Sequence, residues 1–264
     1  MVYGNELLEN IKLLAGTLSH VEILLFHTPD LENIPASQEI RAVKEIGERS
    51  NITFSVHLPA SLEIASIDKE TRQRSLHLAK DICRKMSGIN PLYFVLHIPY
   101  TPPTLVPVPG LYFHEGVGVA WDSWRDRALG SLELLQEDVR VTNRLLIENI
   151  NYSPSILEPL LARGHCGLCL DIGHLILGGE NVGGAIHTYA GDIRLIHLHG
   201  VRGYVEHLSL AQFSEYAVDD WLRCLTGASS NTIIILEVFT PQDLEESIDV
   251  LTKRSFKAMS RKEE

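Results

Sequence analysis

Short apolar runs alternate with segments of helical spacing along almost the whole chain. Seven runs rich in Leu, Ile and Val have the length of buried β-strands. They cover residues 21–26, 53–59, 92–99, 144–150, 167–174, 193–200 and 232–239. Segments with helical spacing lie at 6–15, 37–49, 68–87, 122–138, 154–163 and 242–259. Because strands of a parallel sheet are buried on both faces, this pattern predicts repeated βα units around a parallel sheet.

The helical segment at 6–15 precedes the first clear strand, so a further strand is expected before it. Only residues 1–4 are available for that strand, which is therefore short or truncated. The complete pattern predicts an α/β fold of the (β/α)8 TIM-barrel type, and a length of 264 residues fits one such barrel. An open parallel sheet with a missing strand is the alternative. Residues 1–264 contain no linker, repeat or low-complexity tract, so one domain is expected.

Composition and charge argue against several classes of protein. Hydrophobic residues make up 45% of the chain, which is enough for a large core. No apolar run approaches the ~18 residues of a membrane span, and the N-terminus lacks the basic and apolar regions of a signal peptide. A net charge of −11 opposes binding to a nucleic-acid backbone. Together with four scattered cysteines, these features predict a cytoplasmic protein that binds neither nucleic acid nor membrane.

Residues 100–119 form a Pro- and Gly-rich insert that fits neither a strand nor a helix. The insert follows the end of a predicted strand, which in a barrel places it over the active face. A loop of this length is expected to cover or shape a substrate pocket, and a surface excursion without a role is the alternative. Tyr100 and Tyr112 in this insert are candidate substrate contacts.

Polar residues occur in or at the ends of six successive predicted strands. They are His57, His97, Glu148, Asp171, His174, His197, His199 and Glu237. Barrel active sites form at the carboxyl ends of the strands, and charged groups in apolar strands are costly unless they are paired or bound to metal. Imidazole and carboxylate groups are ligands of Zn, Mn, Fe and Co. The sequence therefore predicts one metal centre in which these side chains converge.

Spacing within the strands refines this prediction. His197 and His199 lie two residues apart, so they share a face about 6.6 Å apart, and His199 is expected to reach a second metal or the substrate. Gly173 permits the turn that would bring Asp171 and His174 to a common centre. Farther along, the segment 200–210 is interpreted as a loop that carries Arg202, Glu206 and His207. Arg202 is a candidate ligand for phosphate or carboxylate, and an exposed surface arginine is an equal alternative.

The motifs at these positions resemble the xylose isomerase-like barrels, which include sugar isomerases and epimerases and the AP endonuclease family 2. The resemblance runs from VEILLF to LEVF and implies a four-ligand metal site at Glu148, Asp171, His197 and Glu237. It also implies that further histidines hold a three-metal cluster of the endonuclease branch, namely His57, His97, His174 and His207. One position departs from that branch, because Val205 stands where an acidic ligand is expected, with Glu206 next to it.

Within this superfamily, the motifs SVHLP, LHIP, IENIN, LDIGHL, HLHG and EHLSL resemble those of cobamide-remodelling phosphodiesterases. The resemblance implies an enzyme with two or three divalent metal ions that cleaves a phosphodiester in a small molecule, here the nucleotide loop of a corrinoid. Glu148 and Glu237 are the expected catalytic residues, which orient the attacking water or relay its proton. Two alternatives stay open. One is a single-metal sugar or hydroxy-acid isomerase or epimerase in which both glutamates move a proton, and the other is a non-catalytic ligand-binding barrel.

Overall fold

Seven parallel strands and their connecting helices dominate the computed structural model, which describes residues 6–100, 121–139, 144–228 and 232–260. The strands of this sheet are β1 His20–Leu24, β2 Thr53–His57, β3 Tyr93–His97, β4 Leu145–Glu148, β5 Gly167–Asp171, β6 Ile193–Leu198 and β9 Ile233–Leu236. Each strand pairs with the next in the order β1-β2-β3-β4-β5-β6-β9. The seven predicted strands are therefore confirmed, as a nearly closed α/β barrel. The first strand expected at 1–4 lies outside the described residues.

Six of the nine helices in the described residues coincide with the helical segments that the hydrophobic spacing predicts. The helices are α1 Leu7–Leu14, α2 Ser37–Ser50, α3 Lys69–Met86, α4 Trp121–Val139, α5 Glu158–Arg163, α6 Ile172–Leu177, α7 Val182–Thr188, α8 Glu215–Ala228 and α9 Pro241–Ser260. Two short helices, α6 and α7, were not predicted, because six or seven residues are too few to display a helical period. The longer α8 was not predicted either. None of the described helices is long and apolar enough to cross a membrane.

The interpretation of segment 200–210 as a loop is wrong. This segment forms an antiparallel hairpin of β7 Gly200–Arg202 and β8 Val205–Leu208, which extends from the carboxyl end of β6. Gly203 has a φ of +63°, so it adopts the left-handed conformation that a tight hairpin connection needs. The strands contain only three and four residues, which is too short for an alternation of polar and apolar positions to be recognised.

Alternate residues of the parallel strands point into the barrel and form two layers. Val95, Leu146, Cys169 and Leu195 form a buried apolar layer. Two residues farther along the same strands lie His97, Glu148, Asp171 and His197. The period of two in each strand therefore places a layer of polar side chains directly on an apolar layer, at the carboxyl ends of the strands.

The two end strands of the sheet, β1 and β9, border a cavity of about 1130 Å³. Side chains of α1, β1, β9 and α9 line this cavity. A closed eight-stranded barrel has its remaining strand between these two edges. The described residues place no strand there, so the barrel they form has seven strands.

Candidate metal centre

Glu148 lies at the carboxyl end of β4 and brings the first group of predicted ligands together. Its Oε2 atom lies 3.0 Å from His57 Nε2 and 3.2 Å from His97 Nε2. These two histidines end β2 and β3, the two strands that precede β4 in the sheet order, so the carboxyl ends of three successive strands bring all three side chains together. We call His57, His97 and Glu148 the first cluster.

The other oxygen of Glu148 faces a second group. His197 Nδ1 lies 3.3 Å from Glu148 Oε1, 3.4 Å from Glu237 Oε2 and 3.8 Å from Asp171 Oδ2. One donor atom from each of the four residues lies within 4.8 Å of the others. We call these four residues the second cluster. It contains the four ligands that the sequence motifs implied, and it shares Glu148 with the first cluster.

Glu206 lies between the two remaining predicted ligands. Its Oε2 atom is 3.6 Å from His174 Nε2 and 3.7 Å from His207 Nε2. Val205, in contrast, is 54% exposed. The hairpin thus brings the carboxylate of Glu206 to the two histidines, although the spacing of the motif departs from that of the endonuclease branch. We call His174, Glu206 and His207 the third cluster.

The proposed substrate contacts lie in different environments. His199 is fully buried, with Nε2 3.3 Å from Asp171 Oδ2 and Nδ1 accepting a hydrogen bond from the backbone N–H of His207. Arg202 is exposed on the hairpin. Tyr100 is buried against Trp124 and packs near Tyr152. Tyr112 and the rest of the predicted insert lie outside the described residues. The substrate roles of these four residues stay predictions.

Asn149, the residue after β4, was not identified from the sequence. Its side chain joins two strand ends, since Nδ2 donates to the carbonyl oxygen of Asp171 and Oδ1 accepts from the Asp171 N–H, at 2.9 and 2.8 Å. The backbone oxygen of Asn149 also lies 3.0 Å from His174 Nδ1. Asp171 itself caps α6 by accepting from the His174 N–H. These bonds fix the turn between Asp171 and His174 that Gly173 was expected to permit.

Glu22 is a second residue that the sequence reasoning missed. It lies on β1 and its Oε1 atom is 2.8 Å from His197 Nε2. Ser55 donates a hydrogen bond of 2.7 Å from Oγ to Glu22 Oε2. Burial alone would raise the pKa of Glu22, but the adjacent His197 brings it below its ordinary value. A lone carboxylate inside the apolar run VEILLF is the signal that could have found it.

Electrostatics divide the histidines of the metal-free protein into two groups. Burial opposes the charged form of every one of them. In His57 this effect is outweighed by the hydrogen bond to Glu148, which raises the pKa to about 9, and in His174 by Asp171 and Glu206, which raise it to about 10. Burial prevails in the other group and lowers the pKa of His97, and lowers that of His207 to about 4. The second group is therefore neutral and available to ligate metal near pH 7.

The carboxylates differ in the same way. Burial would raise the pKa of Glu148, but the imidazoles of His197 and His97 hold it well below its ordinary value. In Glu237 burial prevails and raises the pKa to about 7. In the metal-free protein Glu148 is therefore ionised near neutral pH, between the first two clusters. Glu237 has the pKa expected of a general acid–base group near neutral pH.

Several nitrogen and oxygen atoms at the centre have no hydrogen-bond partner among the described residues. They are buried, and they comprise His97 Nε2, Asp171 Oδ2, His197 Nδ1, His199 Nε2 and Glu237 Oε2. Buried polar atoms are normally satisfied, since an unsatisfied one costs ~1–3 kcal/mol. A divalent cation accepts lone pairs from such imidazole and carboxylate atoms. The residues therefore fit bound metal, with the two overlapping clusters around Glu148 as the candidate sites.

The fold and these donor clusters define a TIM barrel with a candidate metal centre at the carboxyl ends of its strands. The family model of the xylose isomerase-like TIM barrel matches residues 18–254. The chain therefore belongs to the xylose isomerase-like TIM barrel family. No curated protein matches this chain in sequence.

Solved structures share the fold at low sequence identity. A D-tagatose 3-epimerase-like protein is 18% identical, with a TM-score of 0.74 over 93% of this chain and 91% of that one. The D-psicose 3-epimerase of Clostridium cellulolyticum, solved with D-tagatose, is 13% identical, with a TM-score of 0.69 over 94% and 92%. The TTHB071 protein of Thermus thermophilus, soaked with ZnCl2, is 22% identical, with a TM-score of 0.65 over 97% and 95%.

Proposed function

We propose that the protein is a metal-dependent hydrolase that cleaves a phosphodiester in a small molecule. The observation that carries this proposal is the shared carboxylate of Glu148. One of its oxygens faces His57 and His97, and the other faces His197 of the second cluster. A carboxylate that bridges two donor sets is suited to two metal ions, and paired metal ions are a common device for phosphoester cleavage.

The third cluster extends the same argument. His174, Glu206 and His207 supply two imidazoles and a carboxylate beside the second cluster. A single-metal isomerase requires only the four donors around His197, so it leaves the first and third clusters without a role. The additional ligand residues would hold further metal ions. Several cations suit a phosphate group, because its oxygens can contact more than one cation at once.

When bound, divalent cations supply Lewis-acid activation of water and neutralise charge on the phosphate. Glu237, whose Oε2 atom faces His197 and the candidate metal site, accepts a proton on Oε1 from the attacking water. The water oxygen bonds to phosphorus as the bond from phosphorus to the ester oxygen breaks. The proton then passes to that ester oxygen, giving a phosphate monoester and an alcohol. Glu148 stays ionised throughout and holds His57 and His97 in place.

A small substrate suits the charge of the protein, because a net charge of −11 repels an extended polyphosphate backbone. The exposed Arg202 lies on the same hairpin as Glu206 and His207 and is a candidate cation for one phosphate. Within this class, the motif resemblance favours the nucleotide loop of a cobamide as the substrate.

The direct test is metal content followed by turnover. Metal-free protein is reloaded with Zn2+, Mn2+ or Co2+, and the metal per chain is counted by elemental analysis. The loaded protein is then incubated with bis(p-nitrophenyl) phosphate and with adenosylcobalamin. We expect two or three ions per chain and a phosphate monoester, and cleavage of adenosylcobalamin alone would assign a corrinoid substrate. A fully loaded protein that cleaves neither compound would contradict the proposal.

A matched pair of variants links turnover to the first cluster. His57→Asn removes one donor of that cluster, so we expect it to lose about one metal ion per chain and its diester cleavage. His77→Asn is the control, since this histidine is exposed on α3 and pairs with Asp81. A His57→Asn protein with the metal content and rate of the control would contradict a role for the first cluster.

A sugar epimerase is the second candidate, favoured by the four-donor cluster around His197 and by the epimerases among the structures that share the fold. In that reaction Glu148 and Glu237 would move a proton at a carbon next to a carbonyl. The metal-loaded protein is therefore also incubated with D-tagatose and D-fructose. One ion per chain with conversion of a ketose, and no phosphate monoester, would replace the first proposal by this one.

A further inference from the structure

A buried carboxylate outside the three clusters makes direct contact with a residue of the metal centre. Glu22 on β1 has a side chain that is only 5% exposed, and its Oε1 atom lies 2.8 Å from His197 Nε2. His197 itself is fully buried. A carboxylate in such a place is costly unless it is paired, so the contact with His197 is the main interaction that keeps Glu22 inside the barrel.

The two nitrogens of His197 face opposite partners. Nδ1 lies among the carboxylates of the second cluster, whereas Nε2 faces Glu22. A neutral imidazole carries one N–H and one lone pair, and an ionised carboxylate can only accept. Glu22 therefore keeps the proton of His197 on Nε2 and leaves the lone pair of Nδ1 directed at the metal centre. We propose that Glu22 is a positioning residue that fixes the tautomer and the ring orientation of His197.

A chain of polar groups holds the Glu22 carboxylate in turn. Ser55 Oγ donates to Glu22 Oε2 at 2.7 Å, and His20 Nε2 lies 3.1 Å from the same Ser55 Oγ. His20 Nδ1 lies 2.7 Å from Thr53 Oγ1. Because β1 pairs with β2 so that Glu22 faces Ser55 and His20 faces Thr53, the register itself builds this chain. The carboxylate is therefore fixed from the side opposite to His197.

This inference rests on the metal centre of the proposed function and is independent of the reaction that the centre catalyses. The affinity for Zn2+ is measured by competition with a chelator in the full-length protein. We expect Glu22→Gln to weaken affinity about 10- to 100-fold, as loss of a carboxylate behind a metal-binding histidine does. The side-chain amide of glutamine can donate a hydrogen bond to His197 Nε2. The proton of the imidazole can then move to Nδ1, so Nδ1 no longer offers a lone pair to the metal.

Two serine variants provide a matched comparison. Ser55→Ala removes the hydrogen bond that holds Glu22, and we expect a smaller loss of affinity than for Glu22→Gln. Ser131→Ala removes a buried hydrogen bond of similar length, from Ser131 Oγ on α4 to the carbonyl oxygen of Ile64. We expect this control to bind Zn2+ like the wild type. Equal losses in the two serine variants would overturn the proposal, because they would reflect general destabilisation.

A double-mutant cycle separates positioning from stability. If Glu22 acts through His197, then Glu22→Gln should weaken metal binding much less in a His197→Gln background than in the wild type. With Co2+ bound at saturation, the visible spectrum of Glu22→Gln should differ from that of the wild type, because the ligand geometry changes. Additive losses with an unchanged Co2+ spectrum would overturn the proposal.

The outcomes also separate this proposal from the proposed function. Wild-type protein that binds metal and shows the expected variant effects, but cleaves no phosphodiester, supports the role of Glu22 and contradicts the hydrolase. Wild-type protein that binds no divalent metal overturns both. Normal metal affinity of Glu22→Gln together with phosphodiester cleavage overturns only the role of Glu22.

Discussion

The two layers inside the barrel differ in polarity and charge, although the same strands supply them. Val95, Leu146, Cys169 and Leu195 form one layer, and His97, Glu148, Asp171 and His197 form the next, two residues farther along. The lower layer contains aliphatic and thiol side chains without charge. The upper layer contains buried charges at distances of 3 to 4 Å. A step of two residues therefore separates a hydrophobic core from the candidate metal centre.

The two layers therefore contribute to the protein in different ways. Apolar burial stabilises the fold by ~25 cal/mol per Å2, and a cavity in such a close-packed layer lowers the free energy of unfolding. Buried charges contribute less net stability than their attraction alone would give, because their desolvation offsets part of it. Their arrangement fits a candidate metal centre. We therefore expect substitutions in the upper layer to affect metal binding first, and those in the lower layer to affect stability first.

The largest expected effect comes from Glu148→Gln in the upper layer. This change removes the charge shared by the first and second clusters. Because the bound ions supply several kcal/mol of transition-state stabilisation, we expect phosphodiester cleavage to fall by at least ~10³-fold and metal content to fall with it. Glu158→Gln is the matched control, since Glu158 accepts a hydrogen bond from Tyr189 outside the barrel interior. Metal content and turnover equal to those of the control would contradict the assignment of Glu148.

The next largest effect is expected from Leu146→Ala in the lower layer. Leu146 is fully buried, so removing its side chain should lower the free energy of unfolding by ~2–5 kcal/mol. The metal content of the folded fraction should stay at the wild-type value. Urea denaturation of the metal-free protein and elemental analysis measure the two quantities. Leu134→Ala, at a position 51% exposed on α4, is the control and should change stability much less. Loss of metal without loss of stability in Leu146→Ala would break the distinction between the layers.

The layers were not equally visible in the sequence. The strands and the four residues of the upper layer could be predicted, because residues such as His97 and Glu148 interrupt apolar runs near their ends. Glu22 also interrupts an apolar run, but it lies near the start of that run, and the prediction considered only the six later strands. Asn149 reads as an ordinary residue after a strand. Glu206 depends on the hairpin, in which the next residue, His207, has a φ of +57°, a conformation that spacing alone does not predict.

A third expected effect concerns pH and again separates charge from packing. Contacts with carboxylates raise the pKa of His57 to about 9 in the folded, metal-free protein, above the ordinary 6.5. The stability that this interaction contributes is fully present below pH 6.5 and is lost as pH rises through 9. The loss is of the order of 3 kcal/mol, since one pKa unit corresponds to ~1.36 kcal/mol. His174, with a pKa of about 10, acts in the same direction.

Urea denaturation of metal-free protein between pH 6.5 and 9 measures this loss. His57→Gln should flatten the curve, and Leu146→Ala should shift it downward without changing its slope. Metal ions replace protons on the histidines, so Zn2+ affinity should rise over the same interval. Stability that is constant or rises with pH in the metal-free wild type would contradict the charge pairing described for His57.

The smallest expected effect comes from Gly173→Ala, which tests the contact between α6 and the upper layer. A methyl group at this position would overlap the ring of His199, which is fully buried next to Asp171. Neither the ring nor the helix can move without disturbing Asp171, so we expect a loss of ~1–3 kcal/mol in unfolding free energy together with weaker metal binding.

Gly130→Ala in α4 is the matched control. Among the described residues, no atom lies within 4 Å of a methyl group placed there. Since alanine favours the helix by ~0.5–1 kcal/mol, this variant should be more stable than the wild type with unchanged metal affinity. If Gly173→Ala and Gly130→Ala had the same effects on unfolding free energy and metal affinity, the close approach of His199 to Gly173 would not contribute to the metal centre. The contact of α6 with the upper layer would then depend on Asp171 alone.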